Sequence, residues 1–223
     1  KKILVTGANG QLGSELNVLS KTYSQFEWVF TDREELDLCN LDNLVSEISR
    51  INPQIIINCA AHTAVDRAES EFELSDILNH QAVAVMAKWS ANTDCKLIHV
   101  STDYVFDGTA ATALTESAPT APINVYGQTK LAGEKACCEE NPDSIVIRTS
   151  WVYSSFGANF VKTMSRLMQE RDSLNVVNDQ IGSPTYAADL AQAIMTIITH
   201  PNWQAGIYHF SNEGEISWYE FAL

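Results

Sequence analysis

The chain has 223 residues, 45% hydrophobic and 19% charged, a composition with ample material for a core. Fourteen Lys and Arg against 28 Asp and Glu leave a net charge of −14, and no run of Lys or Arg exceeds two, which argues against nucleic acid as a partner. No stretch of about 18 apolar residues occurs, which argues against a membrane span.

Ile3-Leu4-Val5 predicts the first strand. It runs into Thr6-Gly7-Ala8-Asn9-Gly10-Gln11-Leu12-Gly13, glycines that come too early for a signal peptide. Leu12, Leu16 and Leu19 then share one helical face. Glu27–Phe30 predicts a second strand, and Leu41, Leu44, Val45 and Ile48 a helix that stops before Pro53. Ile55–Ile57 is the third strand, with Val83, Met86 and Ala87 on the helix after it. Leu97–Val100 is the fourth strand and Ile145–Ile147 the fifth. Apolar strands alternating with amphipathic helices predict an α/β fold, a Rossmann-type doubly wound parallel sheet covered on both faces.

After about residue 150 the pattern changes. Asn159–Arg171 and Ala187–Thr199 read as helices, Leu174–Val177 and Ile207–Phe210 as strands. This divides the chain into a Rossmann domain, 1–150, and a smaller, incomplete lobe, 151–223, with segments that return to the sheet. No linker separates them, so the second part is expected to pack directly on the first. Ser217 with Glu220 spells a capping box, and the helix it opens is expected to continue beyond Leu223. A first residue other than methionine predicts processing or trimming. The five cysteines, Cys39, Cys59, Cys95, Cys137 and Cys138, are an odd count without zinc spacing, which predicts reduced thiols and a cytoplasmic protein.

Gly7, Gly10 and Gly13, between the first strand and its helix, let the backbone approach a pyrophosphate at a helix N-terminus. Asp32 follows the second strand and can accept bonds from the adenosine ribose hydroxyls, favouring NADH; Arg33 beside it can neutralise the 2′-phosphate of NADPH. Tyr126 and Lys130 stand at i, i+4, so both project from one helix face. A lysine cation there is expected to lower the tyrosine pKa, making it a proton donor to a carbonyl, and to hold the nicotinamide ribose. Thr102, where the fourth strand ends, can donate to an oxygen on which charge develops, and Asp103 can bind a sugar hydroxyl.

Several blocks resemble the extended short-chain dehydrogenase/reductase superfamily and, within it, the dTDP-4-dehydrorhamnose reductase family. They are Ile57–Asp66, Ser101–Gly108, Asn124–Glu134, Arg148–Tyr153, Asn159-Phe160 and Val177–Thr185, so the resemblance spans essentially the whole chain. The Thr63–Asp66 and Asn178–Gln180 blocks are more specific than the glycines or the Tyr126/Lys130 spacing. The resemblance implies NAD(P)H-dependent reduction of the C4 keto group of dTDP-4-dehydro-L-rhamnose to dTDP-L-rhamnose, for cell-surface polysaccharide. Thr102, Tyr126 and Lys130 would be the catalytic set. Gly10, Gln11 and Leu12 would cradle the pyrophosphate, with Asp32 at the adenosine ribose and Asp37 and Leu38 at the adenine. Ala61, His62 and Thr63, with Val100 nearby, match a cofactor-lining segment; His62 is not read as a proton carrier. Thr102, Asp103 and Trp151 match positions that touch the sugar nucleotide.

NADPH is expected to be modestly preferred, with NADH also accepted. Some members dimerise through a metal held by acidic residues. Glu15 fits one such position but Ala187-Ala188-Asp189 does not clearly supply the rest, so no metal is expected and a homodimer stays open. Two alternatives compete: another nucleotide-sugar reductase or epimerase, and a non-catalytic NADP-binding regulatory subunit like the methionine adenosyltransferase β subunit. The intact Thr102, Tyr126 and Lys130 weigh against the latter.

Overall fold

The computed structural model describes residues 1–223. β1 (Lys2–Thr6) leads through the glycine turn into α1 (Gln11–Ser20), followed by β2 (Glu27–Thr31) and α2 (Leu41–Ile51). The Asn40 side chain caps α2 by accepting from Asn43 N, and the helix ends at Asn52, whose φ of 51° is left-handed. After β3 (Ile55–Asn58) come two short helices, α3 (Val65–Ala68) and α4 (Phe72–Asp76). A π-helical turn over Ile77–Gln81 passes directly into α5 (Ala82–Ala91). β4 (Lys96–Thr102) ends in a 3₁₀ turn, Asp103–Val105; a surface connection then reaches α6 (Val125–Glu140) and β5 (Ile145–Thr149).

The remaining elements are β6 (Val152–Tyr153), α7 (Phe160–Glu170), β7 (Ile181–Gly182), β8 (Thr185–Tyr186) and α8 (Ala187–Thr199). β9 (Gly206–His209), β10 (Ile216–Ser217) and α9 (Trp218–Ala222) complete the series. The capping box at Ser217 and Glu220 is formed. The strand expected over Leu174–Val177 is absent. Val177 is half exposed and its carbonyl accepts a single bond, from Tyr219 N at 3.0 Å, so the apolar run has no ladder to join. The ladder with β10 forms instead at Ile181–Gly182.

Six strands make one parallel sheet in the order β2-β1-β3-β4-β5-β9. Because side chains alternate along a strand, the sheet feeds two cores. Leu4, Ile56, Leu97 and Val146 pack on one face with Leu44 and Ile48 of α2 and Val83 and Met86 of α5. Ile3, Val5, Ile57, Ile98 and Ile147 pack on the other with Leu12 and Leu16 of α1 and Leu190, Ile194 and Ile198 of α8. The second core thus draws α8 from beyond residue 150, and β9 extends the sheet beside β5. No helix is long and apolar enough to cross a membrane.

Candidate active site

The strand order reverses at β1 and β3, where connections leave on opposite sides and a crevice opens at the carboxyl ends. A cleft of about 660 Å³ lies there. Its lining includes Gly7, Gly10, Gln11, Leu12, Asp32, Arg33, Asp37, Leu38, Ala61, Thr63, Val100, Thr102, Asp103, Tyr126, Lys130 and Trp151. The structure thus gathers these predicted residues in one place and leaves Gly13 and His62 outside it.

Gly13 faces inward. A Cβ there would stand 2.4 Å from Gly7 O, so its role is to let α1 close onto the turn. Gly7, at φ 68°, occupies the left-handed region, and a Cβ would meet the Ala60 backbone at 2.8 Å. Gly10 precedes α1 with no side-chain cap, leaving the N–H groups of the first turn to an anion in the cleft. This uncapped N-terminus in a backbone-walled cradle fits a dinucleotide pyrophosphate. Gln11 offers only its backbone there, since its side chain donates to Val152 O at 3.2 Å and accepts from Asn159 Nδ2 at 3.0 Å. The Asp32 carboxylate accepts from Asn9 N at 2.9 Å and Arg33 N at 2.8 Å, which fixes it at the end of β2.

His62 is turned from the cleft by its partners. Its imidazole sits 2.8 Å from a Glu71 oxygen and 3.1 Å from Ser75 Oγ. The backbone of His62 is held by buried Asn79, which accepts from His62 N at 2.8 Å and donates to His62 O at 3.2 Å. Asn79 also donates to Thr129 Oγ1 at 3.1 Å, so the π-helical turn ties the Ala61–Thr63 segment to α6. A Cβ at Gly133 would meet Asn79 O at 2.0 Å, and one at Gly127 would meet Tyr104 O at 2.2 Å. These two glycines, Asn79, and the Glu134–Arg148 pair below brace the elements around the cleft, and no motif in the sequence marks them. The clustered glycines on an otherwise regular helix were the available signal.

α6 begins at Asn124, whose side chain accepts from Gly127 N at 2.8 Å, while Glu69 accepts from Val125 N at 2.8 Å. This sets Tyr126 in the first turn, its ring edge-on to Tyr104 at 5.4 Å. Thr102 Oγ1 donates to Asp103 Oδ1 at 3.1 Å and accepts from Tyr104 N at 3.2 Å. Beneath them a buried salt bridge locks the strand end. Arg148 Nη2 lies 2.7 Å from Glu134 Oε2, and Ser101 Oγ donates to Glu134 Oε1 at 2.5 Å. Arg148 Nη1 also donates to Glu116 O at 3.3 Å, which anchors the surface connection before α6.

The electrostatics correct one expectation. Burial pushes the Tyr126 phenol up to about 12; the hydroxyl of Thr102 beside it opposes the rise, and the Asp103 charge adds to it. Lys130 does not lower it. Its Nζ is turned to Val100 O at 2.7 Å, and burial brings the lysine down to about 8. Tyr126 is therefore a protonated phenol throughout the neutral range, able to donate. Burial also raises Asp103, to about 6.

Trp151, at φ 49°, stacks on Trp218 with centroids 3.5 Å apart, and a Cβ at Gly182 would meet its indole at 2.5 Å. It stands with Asp103, Tyr104, Thr149 and Ser150 at the boundary with a second cleft of about 650 Å³.

Known proteins share this fold. The family described as the RmlD substrate binding domain matches residues 1–223. A dTDP-4-dehydrorhamnose reductase of Aggregatibacter actinomycetemcomitans is 42% identical over 226 aligned residues, covering 100% of this chain and 77% of that protein. The crystal structure of a dTDP-4-dehydrorhamnose reductase from Clostridium acetobutylicum superposes with a TM-score of 0.95 at 40% identity, covering 100% of this chain and 78% of that one. That from Bacillus anthracis, in complex with NADP, gives 0.94 at 42% identity and covers 100% and 79%.

Proposed function

The chain belongs to the RmlD substrate binding domain family, and from that premise we propose that it is a dTDP-4-dehydrorhamnose reductase. It reduces the C4 keto group of dTDP-4-dehydro-L-rhamnose to give dTDP-L-rhamnose, using NADPH by preference and NADH as well. The observation that carries this reading is the meeting of Thr102, Tyr126 and Lys130 in the cleft that also holds the glycine turn.

The α1 backbone at Gly10, Gln11 and Leu12 would hold the pyrophosphate, with Asp32 and Arg33 at the adenosine ribose and Asp37 and Leu38 at the adenine. Ala61, Thr63 and Val100, which line the cleft, would flank the cofactor. A reduced nicotinamide, when bound, supplies the hydride. Tyr126 gives a proton to the sugar's carbonyl oxygen, Thr102 donates a hydrogen bond to that oxygen, and Lys130 orients the dinucleotide ribose. Asp103 and Trp151 contact the sugar nucleotide, for which the second cleft has room. Residues 1–150 act as the dinucleotide domain and 151–223 as the substrate lobe, with α8 and β9 returned to the sheet. The reaction belongs in the cytoplasm, where reduced dinucleotides are supplied.

The test is a panel of nucleotide-activated 4-keto sugars, each with NADPH and NADH. The dTDP-linked 4-keto-6-deoxy sugar should give the highest kcat/KM with steady dinucleotide consumption. A dinucleotide that stays bound and is not consumed would point to an epimerase.

A further inference from the structure

Thr6, Asn58 and His99 stand opposite one another on three neighbouring strands, since Thr6 pairs with Asn58 and Asn58 with His99 in the sheet register. Their side chains form a polar chain that ends on Lys130. Thr6 Oγ1 donates to Asn58 Oδ1 at 2.6 Å, Asn58 Nδ2 lies 3.0 Å from His99 Nδ1, and His99 Nε2 lies 3.4 Å from Lys130 Nζ. None of the four residues is more than 1% exposed.

The partners fix where the imidazole proton sits. Ala60 N donates to Asn58 Oδ1 at 3.2 Å. A backbone N–H only donates, so this end of the amide is the oxygen and the other end is the NH2 group. That NH2 donates to His99 Nδ1, which must therefore accept. Burial keeps the imidazole neutral, holding its pKa well below the ordinary value. Its single proton then lies on Nε2 and points at Lys130. An ammonium group offers only donors, so a charged Lys130 meets a second donor across 3.4 Å, with Val100 O as its hydrogen-bond acceptor.

We propose that His99, locked by Asn58 as the Nε2–H tautomer, is a positioning residue that opposes the ammonium form of Lys130, so that dinucleotide binding and protonation of Lys130 are coupled. The proposal rests on the reading of this cleft as a dinucleotide site, since ribose hydroxyls would supply the acceptors that His99 withholds. Of the other titratable groups around Lys130, the Glu134 carboxylate favours the ammonium most, yet burial still brings the lysine down to about 8. Glu134 on its own helix is held by Arg148 and Ser101. Cys137 on that helix and Cys59 after β3 are pushed up to about 12 and stay neutral. Tyr126 is neutral over the same range, and Asp103 on the strand-end turn acts on Tyr126. Burial leaves Lys130 near 8 in the free protein, so affinity should be flat below that pH and weaken above it.

Two measurements on the protein decide the matter. In calorimetric titrations with NADPH from pH 6.5 to 9.5, Kd should be level below about pH 8 and rise up to tenfold per pH unit above it. Nitrogen-15 NMR of labelled imidazoles should show His99 protonated at Nε2 and bare at Nδ1. An Nδ1–H signal, or a Kd that does not change across the range, would overturn the proposal. In Asn58→Asp the carboxylate accepts from Nδ1–H, so the tautomer should switch, Nε2 should accept from the ammonium, and the bend in Kd should move up by a pH unit or more. A bend that moves without a change of tautomer would assign the effect to added charge and refute the role of His99. If that variant does not fold, His99→Gln, whose amide oxygen can accept from the ammonium, should likewise move the bend up, and a bend left at the wild-type pH would overturn the proposal. Absence of binding of NADPH and NADH at every pH would remove the reading of the site as well as the proposal.

Discussion

Replacing Glu134 by Ala should be among the most damaging single changes outside the reacting groups. Glu134 and Arg148 are 2% and 5% exposed in their side chains, and the guanidinium gives Nε and Nη2 to this one carboxylate. Removing the carboxylate leaves Arg148 charged in a site closed to water. Breaking a buried pair in this way typically costs about 3–5 kcal/mol. Unfolding entropy is roughly 2.1 cal/mol/K per residue, so for 223 residues a loss of about 4 kcal/mol lowers Tm by roughly 8–9 °C. Differential scanning calorimetry reads this directly. Glu134→Gln keeps the volume and separates lost charge from lost packing, and Glu134→Leu with Arg148→Met should recover most of the loss. Ser101, which donates to Glu134, adjoins Thr102, so turnover should fall in Glu134→Ala even at temperatures where the protein is folded. A fall in Tm under about 2 °C, equivalent to less than about 1 kcal/mol, would show that solvent reaches the guanidinium and that the pair does not hold the strand end.

Other changes probe the site itself. Tyr126→Phe removes only the hydroxyl, so turnover should fall by about 100-fold or more while NADPH affinity persists; near-normal turnover would assign the proton to another group, with Asp103 next in line. The alkaline fall in kcat/KM should lie near pH 8, where Lys130 loses its proton, and should remain in Tyr126→Phe because the phenol titrates only near 12; loss of that limb in the Phe variant would return the titration to the tyrosine. Asp32→Ala should shift preference toward NADPH, by removing a carboxylate from the 2′-phosphate, and a shift toward NADH would place that ribose elsewhere. Gly127→Ala brings a Cβ within 2.2 Å of Tyr104 O, so it should cost about 1–3 kcal/mol in urea unfolding; a neutral result would mean that α6 can slide on the strand-end turn.

Much of the fold was legible because a buried parallel strand is written as an unbroken apolar run. Ile55–Ile57 and Ile145–Ile147 allow little else once helical leucines flank them. Leu174–Val177 is interrupted by Asn175 and fails as a strand, because it also has no neighbour to pair with. The shared face of Tyr126 and Lys130 was legible from their i, i+4 spacing, and their role from that spacing taken together with the glycine turn. Their ionisation was not legible. It depends on how deeply Tyr126 is buried and on Lys130 turning to Val100 O, both products of tertiary packing. The same holds for His62, which the family resemblance implied as cofactor-lining while Glu71 and Ser75 turn its ring away. Glu134 and Arg148 lie on different elements, so their pairing becomes visible only when α6 crosses β5.

The central claim is that this protein delivers hydride from NADPH to the C4 carbonyl of a dTDP-linked 4-keto sugar. It is tested most directly by incubating the protein with dTDP-4-dehydro-L-rhamnose and NADPH carrying deuterium on the transferred face of C4. The account predicts dTDP-L-rhamnose with one deuterium at the sugar's C4, seen by NMR and mass spectrometry, and one NADPH oxidised for each sugar reduced. NADPH that binds but is not oxidised, with the keto sugar recovered unlabelled, would contradict it.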